Sequence, residues 1–362
     1  MEKKFVKSIL IMTMICNTFF ICGCGSSANN GNNKTVGLCM PTQSVERWIY
    51  DGNNMKRQLE DKGYKVELQY AADDSQVQIE QIEHMIAKGV NCLVICPVNS
   101  NALTTVEASA KAAGIPIIAY NRLLMDTDAV SYYVTFDNKG IGRLIGQTIE
   151  SKAKLKETRA HGQSKTIEFF MGSPDDSNAL YLYNGLMEVL KPYLDDGTLV
   201  CKSGRTSFDS TCILQWSKEI AQERCETYLA SVYANGHLDI CVAANDAFSY
   251  ACRAALSSAG YTASNWPIIS GQDAETIACK NILAGTQAFS IYNDTRLLAS
   301  QTVAMVDALL NGLEPEINDR EQYHNGKMIV PSYLCTPVVV DADNLREVVV
   351  DSGYLPASKL GL

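Results

Sequence analysis

The chain has 362 residues, 46% apolar and 20% charged, enough to bury a large core divided between two lobes and too apolar for a disordered protein. Its formal charge of -9 argues against nucleic acid or an anionic membrane surface as a partner, because both reward a basic patch and none is visible.

The amino terminus reads Met-Glu-Lys-Lys-Phe-Val-Lys followed by the apolar run SILIMTMICNTFFIC, the length of a signal-peptide core and short for a membrane span. In ICGCGSS a small residue precedes Cys24, which resembles the bacterial lipobox. Residues 1–23 are therefore expected to be a lipoprotein signal peptide and Cys24 the lipidated residue; a plain secretory signal or an uncleaved anchor is the alternative. Cleavage before Cys24 removes one Glu and three Lys, which takes the formal charge from -9 to -11. Residues 24–34, containing SSANNGNNK, lack apolar content and are expected to form a flexible tether.

Beyond the tether, short β-branched runs alternate with longer amphipathic ones. TVGLCM, KVELQY, NCLVICP and IPIIAY read as strands, and residues 45–62, 75–88 and 100–114 read as helices. A second series places strands at TIEFFM, TLVCK, LDICVAA and PIIS, with helices over 177–191, 214–234, 247–260 and 275–284. Near-continuous apolar strands between helices imply parallel sheets covered on both faces. The expected fold is α/β, with two doubly wound parallel-sheet lobes.

In such sheets ligands bind beyond the carboxyl ends of the strands, so the polar residues found there are the candidates. They are Arg47 and Trp48 after the first strand, Asn121 and Arg122 after IIAY, and Asp176 and Asn178 after EFFMGSP. Asn245 and Asp246 follow DICVAA, and Gln272 and Asp273 follow IISG. With Trp48 and Trp216 available from loops, this mixture of guanidinium, carboxylate, amide and indole suits a sugar. Each buried hydroxyl both donates and accepts, and the apolar face of a pyranose lies well on an aromatic ring.

Other readings compete. Asp273 and Asn245 could cap the helices that follow them, Trp216 could belong to the core, and Arg47 and Arg122 could be solvated surface charges. GIGRLIG, residues 140–146, approximates a dinucleotide fingerprint, but its third glycine comes one position late and no acidic strand end follows. Close helix packing through Gly142 and Gly146 is the better reading. Asp246 and Asp273 could form an acid–base pair for glycoside hydrolysis, although spacing alone gives no support. Of the thirteen cysteines, Cys16 and Cys22 fall in the signal peptide and Cys24 takes the lipid; most of the other ten lie in predicted strands and helices and are read as buried thiols, with no CxxC pair. The histidines His84, His161, His237 and His324 lack ligand spacing, so no metal or cofactor is expected.

The stretches QIEHMIAKGVNCLVICPVN, GIPIIAYNR, VSYYVTFDNKGIG, GSPDDSNA, VLKPYLDDGTLV, SGQDAE and VPSYLCTPVVV resemble the type I periplasmic binding proteins for sugars, in particular the multiple-monosaccharide-binding and xylose-binding group. The resemblance runs from about Val36 to the end. It implies that Arg47, Trp48, Asn121, Arg122, Asp176, Asn178, Trp216, Asn245, Asp273 and Asn293 grip a monosaccharide, with Asp246 and Gln272 as neighbours of lower rank. YNR in place of Tyr-Asp-Arg, and Asn293 in place of a lysine, resemble the glucose/galactose receptors; the calcium loop of those receptors has no counterpart.

The resemblance further implies a three-strand hinge, with crossings near 121–138, 291–294 and 332–335. The amino-terminal lobe would comprise 35–137 and 294–332, and the carboxyl-terminal lobe 138–293 and 333–362. The implied partner is an ABC permease, or alternatively a membrane sensor kinase or chemoreceptor, served by a lipid-anchored extracytoplasmic monomer. A sugar-processing enzyme is the alternative of another class. A sugar-responsive repressor of this fold would need a basic helix-turn-helix where this chain has its signal sequence.

Overall fold

The computed structural model describes residues 33–362, apart from the side chain of Glu46. The expected signal peptide, the expected lipidation site Cys24 and residues 24–32 of the expected tether lie outside the described residues. The first series runs β1 (Thr35–Met40), α1 (Glu46–Asp61), β2 (Lys65–Tyr70), α2 (Ser75–Ala87), β3 (Cys92–Ile95), α3 (Thr104–Ala112), β4 (Ile117–Tyr120) and β5 (Val130–Phe136). The second runs α4 (Asn138–Lys152), α5 (Leu155–Ala160), β6 (Lys165–Phe170), α6 (Ser177–Asp195), β7 (Leu199–Val200), α7 (Phe208–Thr211), α8 (Lys218–Ala230), β8 (Ile240–Ala243), α9 (Asp246–Ser258), β9 (Ile268–Ile269), α10 (Thr276–Leu283) and β10 (Ser290–Tyr292). The chain closes with α11 (Thr295–Leu310), β11 (Ser332–Cys335), β12 (Val338–Val340) and α12 (Ala357–Leu360).

Six strands form an all-parallel sheet in the order β11-β5-β4-β3-β1-β2. A second parallel sheet has the order β7-β6-β8-β9. A Gln272–Ile291 bridge continues it to β10, which pairs antiparallel with β12. Every residue of β3, β4 and β8 is buried, as required of strands with helices on both faces. The architecture is the type I periplasmic binding protein fold.

The chain passes between the sheets three times. It leaves β5 of the first sheet for α4, which packs on α6. It returns between β10 and α11, the latter packed on α1. It crosses again between β11, paired to β5, and β12, paired to β10. The third crossing therefore lies at residues 336–337, beyond the expected 332–335, because Tyr333, Leu334 and Cys335 are still in register with Val134, Thr135 and Phe136.

Asx side chains start the helices that leave the strand ends. Asp137 accepts from Gly140 N, Asp176 from Asn178 N, Asn245 from Phe248 N and Asp294 from Arg296 N, at 2.9 to 3.0 Å. Inside α4 the two glycines of GIGRLIG set a close helix contact. A Cβ on Gly142 would land on the Leu182 carbonyl, and one on Gly146 would lie 2.8 Å from Val189 Cβ. The motif sits within a helix and packs; it does not open one onto a phosphate. The ten cysteines among the described residues are all free, eight of them buried, and burial pushes the thiols of Cys39, Cys92 and Cys96 up to about 12.

Candidate functional site

The carboxyl ends of both sheets open onto one cleft of about 1470 Å³. That exceeds the roughly 300 to 1000 Å³ of a typical small-molecule pocket, which leaves room for closure. Eleven of the twelve predicted residues line it: Arg47, Trp48, Asn121, Arg122, Asp176, Asn178, Trp216, Asn245, Gln272, Asp273 and Asn293.

Asp246 does not. It is wholly buried, and its carboxylate accepts from Gln287 Nε2 (2.8 Å), Ser290 Oγ (2.9 Å) and Glu275 N (2.9 Å). It ties the start of α9 to the loop before α10, and burial raises its pKa well above the usual carboxylate range. Its expected place among the ligand residues is therefore corrected to a structural one. With Asp246 held in the core, the Asp246–Asp273 acid–base pair considered for glycoside hydrolysis does not face the cleft.

Arg47, at the start of α1, is the hub of the polar rim. Its Nη2 donates to Asn121 Oδ1 (2.8 Å), its Nη1 lies 3.5 Å from Asp273 Oδ1 and its Nε 3.7 Å from Asp51 Oδ2. Opposite, Arg122 Nε lies 3.0 Å from Asp176 Oδ2, and Arg122 Nη1 donates to the Pro97 carbonyl (3.1 Å). Both arginines hold their charged carbons over the Trp48 ring, at 4.9 and 5.5 Å from its centroid. They are neither solvated nor free.

Asp273 is one-quarter exposed; burial raises its pKa while Arg47 pulls it down. It is not a cap, since the N-cap position of α10 is Glu275 and the helix has no side-chain cap. Asn245 does cap α9, through Oδ1, and also lines the cleft. Gln272 Oε1, Asn293 Oδ1 and Trp216 Nε1 are buried with no hydrogen-bond partner. Such orphaned atoms are costly unless something else satisfies them.

Asn178 proves to be a brace. Its Nδ2 donates to the Asn121 carbonyl (2.7 Å), and its Oδ1 accepts from Tyr133 Oη (3.0 Å) and Asn138 Nδ2 (2.9 Å). The same Asn121 carbonyl also accepts from Tyr133 Oη (2.8 Å) and Thr135 Oγ1 (3.0 Å). These bonds hold Asn121 at φ 61°, a left-handed backbone. Trp216 (φ 52°) and Asp273 (φ 99°) also have positive φ. Non-glycine residues rarely adopt such φ values except where surrounding structure fixes them, often at functional sites. Trp216 is partly buried and stacks on Phe248, ring centroids 5.7 Å apart at 29°. It is thus both core and cleft.

Sequence reasoning missed Asp51, Asn138, Ser173 and Tyr354, all lining the cleft. For Asp51 a signal existed: it stands four residues after Arg47 and so on the same face of α1.

Two doubly wound lobes with one shared cleft, rimmed by polar groups from six strand ends, define a solute-binding protein of the hinged, two-lobed class. The chain belongs to the periplasmic binding protein domain family, whose profile matches residues 36–314. It is 43% identical over 328 residues to a multiple sugar-binding periplasmic receptor of Rhizobium radiobacter, covering 90% of this chain and 92% of that one. It is 45% identical over 322 residues to a multiple sugar-binding periplasmic protein of Azospirillum brasilense, covering 88% and 89% respectively. Among solved structures it is similar to an ABC transporter solute-binding protein from Clostridium phytofermentans with bound β-D-glucose. That match has a TM-score of 0.85 and 46% identity, and covers 90% of this chain and all of the other.

Proposed function

We propose that this protein is an extracytoplasmic receptor that binds a neutral aldose, such as glucose, galactose or xylose, in the interlobe cleft and delivers it to an ABC transporter. The observation that carries the reading is the alternation of donors and acceptors around the cleft, Arg47, Asn121, Arg122, Asp176, Asn245, Asp273 and Asn293, with Trp48 and Trp216 beside them. A sugar hydroxyl needs both kinds of partner, and the indoles give it contact area at small entropic cost. The similarity to sugar-binding receptors, one of them holding β-D-glucose, supports the same assignment.

Binding is without chemistry: the residues hold and release the sugar as the lobes hinge about the three crossings. In this reading residues 35–137 and 294–335 move as one lobe and 138–293 and 338–362 as the other. Cys24 anchors the monomer to the membrane through lipid, with residues 24–34 as the tether. Calorimetry against a panel of aldoses tests the proposal. Saturable binding with unchanged sugar recovered afterwards supports it. Turnover of any sugar, or no binding across the panel, overturns it.

A further inference from the structure

Helix α1 brings two residues to the cleft one turn apart, and only the first was read as a ligand contact. Asp51 is 1% exposed, and no group closes a well-formed hydrogen bond on either of its carboxylate oxygens, although the hydroxyls of Tyr120 and Thr295 face it. Arg47 Nε, 3.7 Å away, and the buried Tyr120 hydroxyl likewise make no well-formed hydrogen bond. A carboxylate buried beside groups it does not fully engage is a net cost to the fold, which directs attention to what it does for Arg47.

The other two edges of that guanidinium are held by Asn121 and Asp273, both ligand residues in the proposed function. A sugar hydroxyl that takes up their oxygens loosens their hold on Arg47. Asp51, behind Arg47 on the same helix, is the anion that stays.

We propose that Asp51 is a positioning residue, which holds the Arg47 guanidinium by its Nε edge in the orientation that grips the sugar and so makes affinity depend on its own ionisation. The inference rests on the sugar-binding reading. Asp51 is surrounded by Arg47 on its own helix, Tyr120 at the end of β4, Thr295 at the start of α11, Tyr70 at the end of β2, Cys96 after β3, Asp273 after the second sheet and Tyr354 of the carboxyl-terminal segment. Burial is the dominant influence and pushes its pKa up, against Arg47 and the two hydroxyls of Tyr120 and Thr295, to about 6. Above that pH it is an anion on Arg47; below it the Nε edge loses its counter-charge.

The test is calorimetry of the wild type and Asp51→Asn with D-glucose, D-galactose and D-xylose, none of which ionises, from pH 7.5 to 5.0. Wild-type affinity should fall about tenfold over that range, as expected for one buried charge-assisted contact. Asp51→Asn should start at the lower level and lose most of the pH dependence, the remainder belonging to Asp273. Wild-type affinity in the variant at pH 7.5, or a loss of affinity with the full pH profile retained, would overturn the proposal; the second result marks a merely structural role.

The ligand-free protein gives an independent reading. The Arg47 Nε–H nitrogen resonance should titrate with Asp51 in the wild type, and constancy of that resonance overturns the proposal even if Asp51→Asn fails to fold. Should no sugar bind at any pH, the functional reading falls, and the resonance still decides whether Asp51 holds Arg47.

Discussion

Arg122 on one side of the cleft and Asp176 on the other meet at 3.0 Å, with side chains only 15% and 7% exposed. Arg122 leaves the end of β4 and Asp176 caps α6, so the pair joins the two sheets at the mouths of their strands. A buried pair adds little over an apolar replacement, but removing one partner strands the other charge, at about 3 to 5 kcal/mol. Arg122→Ala and Asp176→Ala should each weaken sugar binding by about 2 to 4 kcal/mol, and the double variant should lose scarcely more than either alone. Additive losses in calorimetry would show that the pair does not act as a unit.

Asp273 keeps its carboxylate toward the cleft, where it caps no helix and pairs with Arg47. Asp273→Ala should weaken aldose binding by about 1.5 to 3 kcal/mol, the range for a hydrogen bond to a charged group. Thermal stability of the ligand-free protein should barely change. A near-wild-type dissociation constant would remove Asp273 from the site.

Gly172 tests the stacking surface without touching the polar rim. A Cβ there would run into the Trp216 ring, which stacks on Phe248 and lines the cleft, so the ring must shift. Gly172→Ala should therefore lower sugar affinity roughly tenfold through misplaced indole and reduce the fluorescence change on binding. Unaltered affinity would mean that Trp216 belongs to the core alone.

Stability against pH has a sign fixed by three buried carboxyls. Burial pushes Glu107 up to about 7 and Asp51 up to about 6, and raises Asp246 well above its ordinary value. With the folded pKa above the unfolded one, the native state binds protons more readily, so stability rises as pH falls from about 7 toward the ordinary carboxylate range and levels off there. Asp294, Asp307 and Asp341 behave oppositely: burial works against their charge, but bonds from Arg296, Lys62 and Lys152 outweigh it and hold their pKa low. Their contribution is lost as pH falls below the usual carboxylate range. Thermal unfolding of the ligand-free protein should show its maximum near pH 5, and Glu107→Gln should reduce the rise between pH 7 and 5. A monotonic fall in melting temperature from pH 7.5 downward would contradict the assignment.

What could be read from the chain was whatever local pattern encodes. The apolar runs of β1, β2, β3, β4, β6 and β8 and the helical spacing between them announced parallel sheets, and parallel sheets place the site at the strand ends. What escaped was set by distant partners. β5 and β11 pair in register although about two hundred residues separate them, and the polar residues of SYYVTF hide a strand whose Tyr133 and Thr135 hydroxyls support Asn121. Direction escaped as well. Asp246 and Asp273 both follow strands, yet only the backbone path, with φ 99° at Asp273, turns one toward the cleft and leaves the other in the core. Asn178 reads as one more amide at a strand end, and nothing local says that both ends of it are occupied by protein.

The unpaired thiols give this molecule a set of internal clocks. Cys39, Cys92 and Cys96 are sealed in the first sheet or just beyond it, and Cys225, Cys241 and Cys252 in and around the second, all at 0% exposure. Alkylation by a reagent in solution requires each to come into contact with water, so the rate at which each set is modified measures how often its half of the protein comes apart. Mass spectrometry of the two sets, with and without sugar, would time the two halves separately in a single unlabelled sample.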